Sequence, residues 1–337
     1  MTVIASNDGF LEHLKSLRRA VLSAGADYLI AGDTLQALVR HGKRHWLLHP
    51  QFVTLLEGGA RRTPALHDQS GLFAGWRPYV SRTWPLAADR AAFRRYVAKE
   101  GLAAPGLSLE APVSGAVVVS RFSAANGRQV EGPFRSASER PLDVARGDSY
   151  EPFLRGDFVK VWFWNGTPIC AERERLPYVV GDGTATIRDI LLRAAALVQI
   201  DEREREGLLA RCELVALCDG RTLSTVLPAG TKQAVALGYG ASPLHGGRDS
   251  LSFLNDEPEW MPSMRRAGFA LHAAIPDPIR SGTLFSVDAI VDDAHRAFLL
   301  EMDCNPVVHP LVYPAMIGSL VAAEQQSPPA PQQSPAA

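Results

Sequence analysis

The sequence lacks several features that would assign it to a specialised class of protein. It has four cysteines in 337 residues, and none of them forms a CxxC pair. This argues against a disulfide framework and predicts a reducing compartment. No apolar run approaches the roughly 20 residues of a membrane span, and the first residues do not resemble a signal peptide. We therefore expect a cytoplasmic protein that does not span a membrane.

An excess of charge of either sign is also absent. Lys and Arg number 35 and Asp and Glu number 36, which gives a net charge of −1. No overall positive field therefore predicts a nucleic-acid partner. The hydrophobic content of 46% and charged content of 21% are ordinary for a globular protein. The length allows two or three packed units.

Two apolar stretches near the end of the chain carry acids. Asp288 lies inside the first, 285–291, and Glu301 and Asp303 follow the second, 297–300. Residues i and i+2 of a strand share one face, so Glu301 and Asp303 should point the same way. Three carboxylates on neighbouring strands would repel one another without a cation among them, and oxygen ligands suit Mg²⁺ or Mn²⁺. The alternative is that these acids face water on a hairpin.

The patterns divide the chain into three parts. Residues 1–85 are expected to form a small α/β unit, with helices over 10–24 and 34–41 and short strands over 27–33 and 46–48. Residues 86–323 form the main unit, and 324–337, rich in Pro, Gln, Ser and Ala, are predicted to be disordered.

Local signals in the main unit indicate two hairpins and one helix start. Asn126-Gly127 predicts a mobile loop between two strands, and Asn165-Gly166 predicts a hairpin that follows the alternating strand 158–164. Thr186 to Asp189 fits a capping box that opens a helix.

Several of these segments together resemble the ATP-grasp ligase superfamily, and most closely the ATP-grasp module of cyanophycin-synthetase-like amino-acid ligases. The resemblance runs from about residue 87 to 314. The segment 89–93, DRAAF, resembles the "DK…F" helix of that family, and 151–158, EPFLRGDF, resembles its hinge. The most specific match is 175–183, RLPYVVGDG. The acids described above match the metal-binding acids, with His309 as a trailing match.

The resemblance implies an α+β ATP-grasp fold in which two α+β lobes hold ATP between them, with a flap subdomain over about 103–155. It implies an ADP-forming carboxylate–amine ligase that uses ATP and Mg²⁺ or Mn²⁺. The partners would be small-molecule carboxylates and amines, amino acids foremost, and the chain could form a homo-oligomer.

The resemblance also implies roles for individual residues, each with a structural alternative. Asp288, Glu301 and Asp303 would hold the metal, although the family usually has Asn where Asp303 stands. Arg175 would face phosphate or a substrate carboxylate, or else point outward from a hairpin. Glu151 would lie near adenine and ribose, or else be a solvated acid. The remaining nucleotide-binding candidates are Phe153, Leu154, Lys160, Asn126 and Gly127.

One departure from the family pattern affects the phosphate site. The family has Lys-Pro where this chain has Ser120-Arg121. Either Arg121, in a catalytic role, or Lys160 would then supply the missing cation. If neither does, the chain would be a nucleotide-binding protein that has lost catalysis and acts as a partner or regulator.

Overall fold

The computed structural model describes residues 8–56, 59–66, 72–110, 115–123, 127–175, 177–197, 201–235, 249–252 and 257–325. In these ranges helices are combined with antiparallel sheets, which confirms the expected α+β class. Two expected features lie outside the described residues: Asn126 of the predicted loop, and 326–337 of the predicted tail. No helix in the described part of the chain is long and apolar enough to cross a membrane.

The N-terminal unit is one helix followed by an antiparallel sheet. Its elements are α1 (Asp8–Ser23), β1 (Asp27–Ile30), β2 (Ala37–His41), β3 (Arg44–Leu56), β4 (Gly59–Thr63) and β5 (Leu72–Arg77). All pairings among the described strands of this unit are antiparallel. The unit is therefore α+β rather than α/β, and the helix expected over 34–41 is wrong.

That stretch forms β2 because a tight turn follows it. Ala37 and Val39 are buried and alternate with more exposed residues, which is the period of a strand. Gly42 has a φ of 56°, a conformation that glycine adopts without steric cost. The chain reverses there, so that His41 pairs with Arg44 at the start of β3.

The main unit contains the remaining α-helices and strands of the described ranges. They are α2 (Pro85–Ala88), α3 (Arg90–Lys99), β6 (Val117–Ser123), β7 (Gly127–Phe134), β8 (Asp148–Pro152), β9 (Asp157–Trp164), β10 (Thr167–Glu174), β11 (Tyr178–Val180), α4 (Ile187–Leu197), α5 (Glu202–Cys218), β12 (Lys232–Ala234), β13 (Asp249–Ser252), α6 (Met261–Ala273), α7 (Asp277–Arg280), β14 (Leu284–Val291), β15 (Ala297–Asp303) and α8 (Tyr313–Gln325). The last helix thus includes the first two residues of the predicted tail.

The described strands of the main unit form three sheets. A three-stranded sheet has the order β7-β6-β8, and β11 pairs with β12. The five strands β13-β10-β9-β14-β15 form what we call the central sheet. Both predicted hairpins are present, as β6-β7 and β9-β10. The capping box is also confirmed, because Thr186 Oγ1 accepts the N–H of Asp189 at 3.2 Å, while Asp189 Oδ2 accepts the N–H of Thr186 at 3.2 Å.

The two faces of the central sheet have different neighbours. Val161, Phe163 and Val287 belong to one buried cluster with residues of α3 and α6. On the opposite face, Trp162 and Trp164 pack with residues of α1, α8 and the N-terminal sheet. Side chains alternate along a strand, so Lys160, in the middle of β9, lies on the same face as these two tryptophans. The N-terminal unit is therefore docked beside a charged part of the central sheet.

Candidate functional site

The predicted metal-binding acids lie on one face of the central sheet. Asp288 on β14 is opposite both Glu301 on β15 and Lys160 on β9. Asp303 is opposite Ser286, two residues before Asp288. Directly opposed residues of an antiparallel pair share a face and lie close together. The sheet register therefore brings the three acids and Lys160 into one group.

Lys160 provides the positive charge of this group. Its Nζ donates to Asp288 Oδ1 at 2.9 Å, and the two side chains are 19% and 16% exposed. Burial lowers the pKa of Lys160, but the nearby charges of Asp288, Asp303 and Glu301 raise it, and the net effect is an increase. Lys160 is thus held as an ammonium group.

The acids suit a divalent cation by their chemistry, although they do not form a closed cage around one. Carboxylate oxygens are the ligands that Mg²⁺ and Mn²⁺ prefer. Among the described residues, no three His, Cys, Asp or Glu side chains converge tightly enough to enclose an ion. Since Mg²⁺ in nucleotide sites is usually held by one or two carboxylates together with phosphates, the residues present fit that kind of site.

On the other side of Lys160 is an acid that the sequence analysis did not single out. Glu172 on β10 is the direct partner of Lys160, and its Oε1 is 4.0 Å from His309 Nε2. The His309 ring lies 5.1 Å from the Trp162 ring. We call Lys160, Glu172, Asp288, Glu301 and Asp303 the polar face. No alternation of buried and exposed residues along β10 distinguishes Glu172, and its position becomes informative only once Lys160 is known to pair with it.

Glu151, the predicted hinge residue, is buried between two arginines. It is 1% exposed and forms ion pairs with Arg90 and Arg94 of α3, the second with Nη2 to Oε2 at 3.1 Å. The alternative of a solvated acid is therefore wrong. Arg94 Nη1 also donates to Leu299 O of β15 at 2.6 Å. Glu151 thus connects the three-stranded sheet to α3 and, through Arg94, to the central sheet.

Arg121 is engaged within the three-stranded sheet. Its Nε donates to Asp148 Oδ1 at 2.7 Å. Asp148 also accepts the N–H of Asp143 at 3.1 Å. Burial raises the pKa of Asp148, but this hydrogen bond and the Arg121 guanidinium outweigh burial and lower it. Asp148 is therefore ionised and paired with Arg121.

The other predicted residues lie around the edges of these sheets. Phe153 and Leu154 are half-buried in the connection from β8 to β9, where the N–H of Phe153 donates to Ala116 O at 2.9 Å. Gly127 is the first residue of β7. Arg175 is exposed and follows the last residue of β10.

Asn305 holds the end of β15 against the connector from the N-terminal unit. Its Oδ1 accepts from Arg77 Nη1 at 2.7 Å and from the N–H of Arg82 at 3.0 Å. Its Nδ2 donates to Arg82 O at 2.7 Å. The amide is thus used to join two segments more than two hundred residues apart, which local sequence patterns do not reveal.

No family model and no curated protein matches this chain. Among solved structures, a bifunctional glutathione synthetase from Pasteurella multocida is 12% identical with a TM-score of 0.43, over 93% of this chain but only 43% of the synthetase. A D-alanine–D-alanine ligase from Bacillus anthracis is 10% identical with a TM-score of 0.37, over 72% of this chain and 70% of the ligase. The ATP-grasp ligase PsnB, complexed with a minimal precursor, is 12% identical with a TM-score of 0.37, over 94% and 95% of the two chains.

Proposed function

We propose that this protein is an ATP-dependent carboxylate–amine ligase of the ATP-grasp type, which forms an amide or peptide bond through an acylphosphate. The observation that carries the proposal is the grouping of Asp288, Glu301 and Asp303 around Lys160 on one face of the central sheet. The ordered motif matches to cyanophycin-synthetase-like ligases support the same assignment and favour amino acids as substrates.

The chemistry requires positive charge near the transferred phosphoryl group. A substrate carboxylate attacks the γ-phosphorus of ATP, and ADP leaves. Negative charge then lies on the phosphoryl oxygens, where cationic groups stabilise the transition state. In this proposal the Lys160 ammonium faces those oxygens. Asp288, Glu301 and Asp303 would hold Mg²⁺ or Mn²⁺, which neutralises phosphate charge as a Lewis acid.

The second half-reaction forms the amide. The amine nitrogen bonds to the acyl carbon while the bond from that carbon to the phosphate oxygen breaks. Of the two protons that the ammonium form of the amine loses, one leaves with the phosphate dianion and the other goes to solvent. Water would compete with the amine for the acylphosphate, so a cover over the site protects the intermediate. We assign that cover to the β6-β7 hairpin, whose connecting sequence includes Asn126-Gly127.

Further roles follow from the positions of the remaining residues. Phe153 and Leu154 lie in the connection from β8 to β9 and are assigned to the nucleotide base. Glu151 holds that connection in place through Arg90 and Arg94, so we assign it a positioning role. Arg175 is assigned to a substrate carboxylate or phosphate, since a guanidinium binds such groups with two parallel hydrogen bonds.

One observation favours a second candidate, a nucleotide-binding protein without catalysis. Arg121 is paired with Asp148 within the three-stranded sheet. Its guanidinium is therefore engaged there and does not replace the phosphate-binding lysine that the family has at this place. Lys160 must then serve the phosphates alone or catalysis is lost. The two candidates differ in whether bound ATP is turned over.

The test is ADP and phosphate release by the full chain with ATP and Mg²⁺, across pooled amino acids and small carboxylic acids. Glu301→Ala should abolish the release while thermal unfolding stays cooperative. Asp293→Ala changes an exposed acid in the β14-β15 turn and should keep it. ATP binding without release from any pool would favour the second candidate, and full activity of Glu301→Ala would overturn the metal assignment.

A further inference from the structure

Helix α6 carries an aromatic side chain on its outer face. Met264, Ala267 and Leu271 of this helix are buried in one cluster with residues of the central sheet. Phe269 is 79% exposed, which makes it the most exposed large apolar side chain in the described part of the chain. The outer face of a packed helix is normally polar, so Phe269 departs from the usual pattern.

A pocket of about 420 Å³ lies beside Phe269, between α6 and the end of α3. Its lining, which we call the α6 patch, consists of Glu100, Leu102, Arg265, Arg266, Phe269 and Ala270. A cavity of about 150 Å³ accommodates a benzene ring, so the pocket has room for a phenyl group. The α6 patch thus combines an exposed phenyl group with a hollow that can receive one.

Two hydrogen bonds hold the walls of this pocket together. The hydroxyl group of Tyr96 in α3 donates to Ala270 O in α6 at 2.9 Å. Arg266 Nη2 donates to Gly101 O, just after α3, at 3.0 Å. The pocket is therefore formed before a partner binds, which lowers the entropic cost of association.

The α6 patch and its rim carry charges of both signs. Arg265 and Arg266 share the lining with Glu100, and Glu257 forms an ion pair with Arg265. The side chains of Arg265 and Glu257 are 60% and 52% exposed. Exposed ion pairs contribute little to stability, so these two groups can exchange partners at small cost. Two cations and two anions therefore lie within one small surface.

This combination of charges favours a second copy of the chain over other partners. In a two-fold interface the same surface meets itself, so a phenyl group and a pocket on one patch complement each other. Like charges that face each other oppose association, whereas a patch with both signs can pair with itself. A nucleic acid or an anionic membrane favours a predominantly basic surface, and the α6 patch is not of that kind.

We infer that the α6 patch is a two-fold interface between two copies of this chain. Phe269 of each copy enters the pocket of the other, and the arginines of each patch face the acids of the other. Helices α3 and α6 pack on the face of the central sheet opposite the polar face. The interface is therefore separate from the predicted metal and phosphate site, and the inference does not depend on the proposed ligase activity.

Sedimentation velocity of the full chain over a range of protein concentrations tests the role of Phe269. We expect the wild type to form a dimer. Phe269→Ser should raise the Kd of the dimer at least about tenfold, because aromatic anchors carry much of the binding energy of an interface. Leu29→Ser is the matched control, since Leu29 of β1 is 68% exposed on the N-terminal unit. This substitution should leave the Kd within about twofold of the wild type.

Two charge-reversal variants test whether the patch meets itself. Arg265→Glu combined with Arg266→Glu makes the patch acidic, and Glu100→Lys combined with Glu257→Lys makes it basic. Each variant alone should associate at least about tenfold more weakly than the wild type, because like charges then face each other. An equimolar mixture of the two should recover the dimer. Recovery also shows that the substitutions have not merely disturbed the fold.

Three results would overturn the inference. The first is a wild type that stays monomeric at every concentration, and the second is a dimer that Phe269→Ser leaves unchanged. The third is a mixture of the charge-reversal variants that stays monomeric although both unfold cooperatively on heating. None of these results concerns ADP release, so the interface can fail while the proposed function stands.

Discussion

Lys160 and Asp288 form an ion pair between two neighbouring strands of the central sheet, with Nζ 2.9 Å from Oδ1. They are 128 residues apart in the chain, and the pairing of β9 with β14 brings them together. The ammonium group partly balances the charges of Glu301 and Asp303 as well. A divalent cation that binds these acids must therefore compete with a charge that the protein itself supplies.

Lys160→Met should strengthen the binding of Mn²⁺ in the absence of nucleotide while turnover falls. Removing the ammonium frees Asp288, and a charge pair at this spacing is worth several kcal/mol at an effective dielectric constant of about 20. We expect at least about a tenfold gain in Mn²⁺ affinity by electron paramagnetic resonance titration. Lys232→Met, which removes a lysine over the Tyr178 ring, is the control and should change neither property. Equal Mn²⁺ affinity in both variants would show that the acids around Lys160 do not bind the ion.

Glu151→Gln should destabilise the fold rather than weaken ATP binding directly. The substitution leaves Arg90 and Arg94 buried without their carboxylate, and breaking a buried ion pair in this way costs about 3–5 kcal/mol. Glu12→Gln breaks an exposed pair with Lys15 and should change stability by less than about 1 kcal/mol. Urea unfolding measures both. If Glu151→Gln kept wild-type stability but no longer bound ATP, the prediction would be wrong. Glu151 would then contact the nucleotide directly, as expected from the sequence.

Local patterns predicted the parts of this fold that depend on neighbouring residues. The hairpins, the capping box at Thr186 and the shared face of Glu301 and Asp303 follow from turn residues and from the two-residue period of a strand. The helix expected over 34–41 failed because the turn at Gly42 and pairing with β3 favour a strand, and strand formation depends strongly on such context.

The pairings that define the candidate site could not be predicted in this way. Glu172 and Lys160 become neighbours through the β9-β10 hairpin, but Lys160 and Asp288 meet only because β14 pairs with β9. Likewise, no local sequence pattern indicates that Glu151 is buried. Its carboxylate can be buried because it forms ion pairs with Arg90 and Arg94 of α3. The pairing register of strands that are distant in sequence therefore decides which charged side chains become neighbours.

Two glycines in helices should respond to alanine with opposite signs. A Cβ on Gly268 of α6 would lie 2.2 Å from Gly166 O and 2.7 Å from the Phe163 ring, so Gly268→Ala must displace the hairpin turn. Overpacking of this kind costs about 1–3 kcal/mol or more. A Cβ on Gly318 of α8 would meet nothing within 4 Å, so Gly318→Ala should stabilise by up to about 1 kcal/mol through helix propensity. Thermal unfolding of the two variants checks this, and a Gly268→Ala protein as stable as Gly318→Ala would contradict the close approach of α6 to the turn.

His13 should make the protein less stable in acid. Burial, and to a lesser extent the charge of His309, lower the pKa of His13 to about 4 from its usual 6.5. Between these values the unfolded chain binds the proton and the folded protein does not, so the free energy of unfolding falls as the pH drops from 6.5 toward 4. From pH 7 to pH 5 the loss due to His13 is on the order of 2 kcal/mol.

The substitution His13→Gln should therefore reduce the difference in stability between pH 7 and pH 5, as measured by urea unfolding at each pH. Tyr313→Phe is the matched control, because it removes the hydroxyl group that lies 2.9 Å from His13 Nδ1 but keeps the imidazole. It should lower stability at both pH values, since the N–H of Trp76 also loses its acceptor, and it should keep most of the pH dependence. If His13→Gln retained the full wild-type difference, the acid sensitivity would have to come from groups other than this buried imidazole.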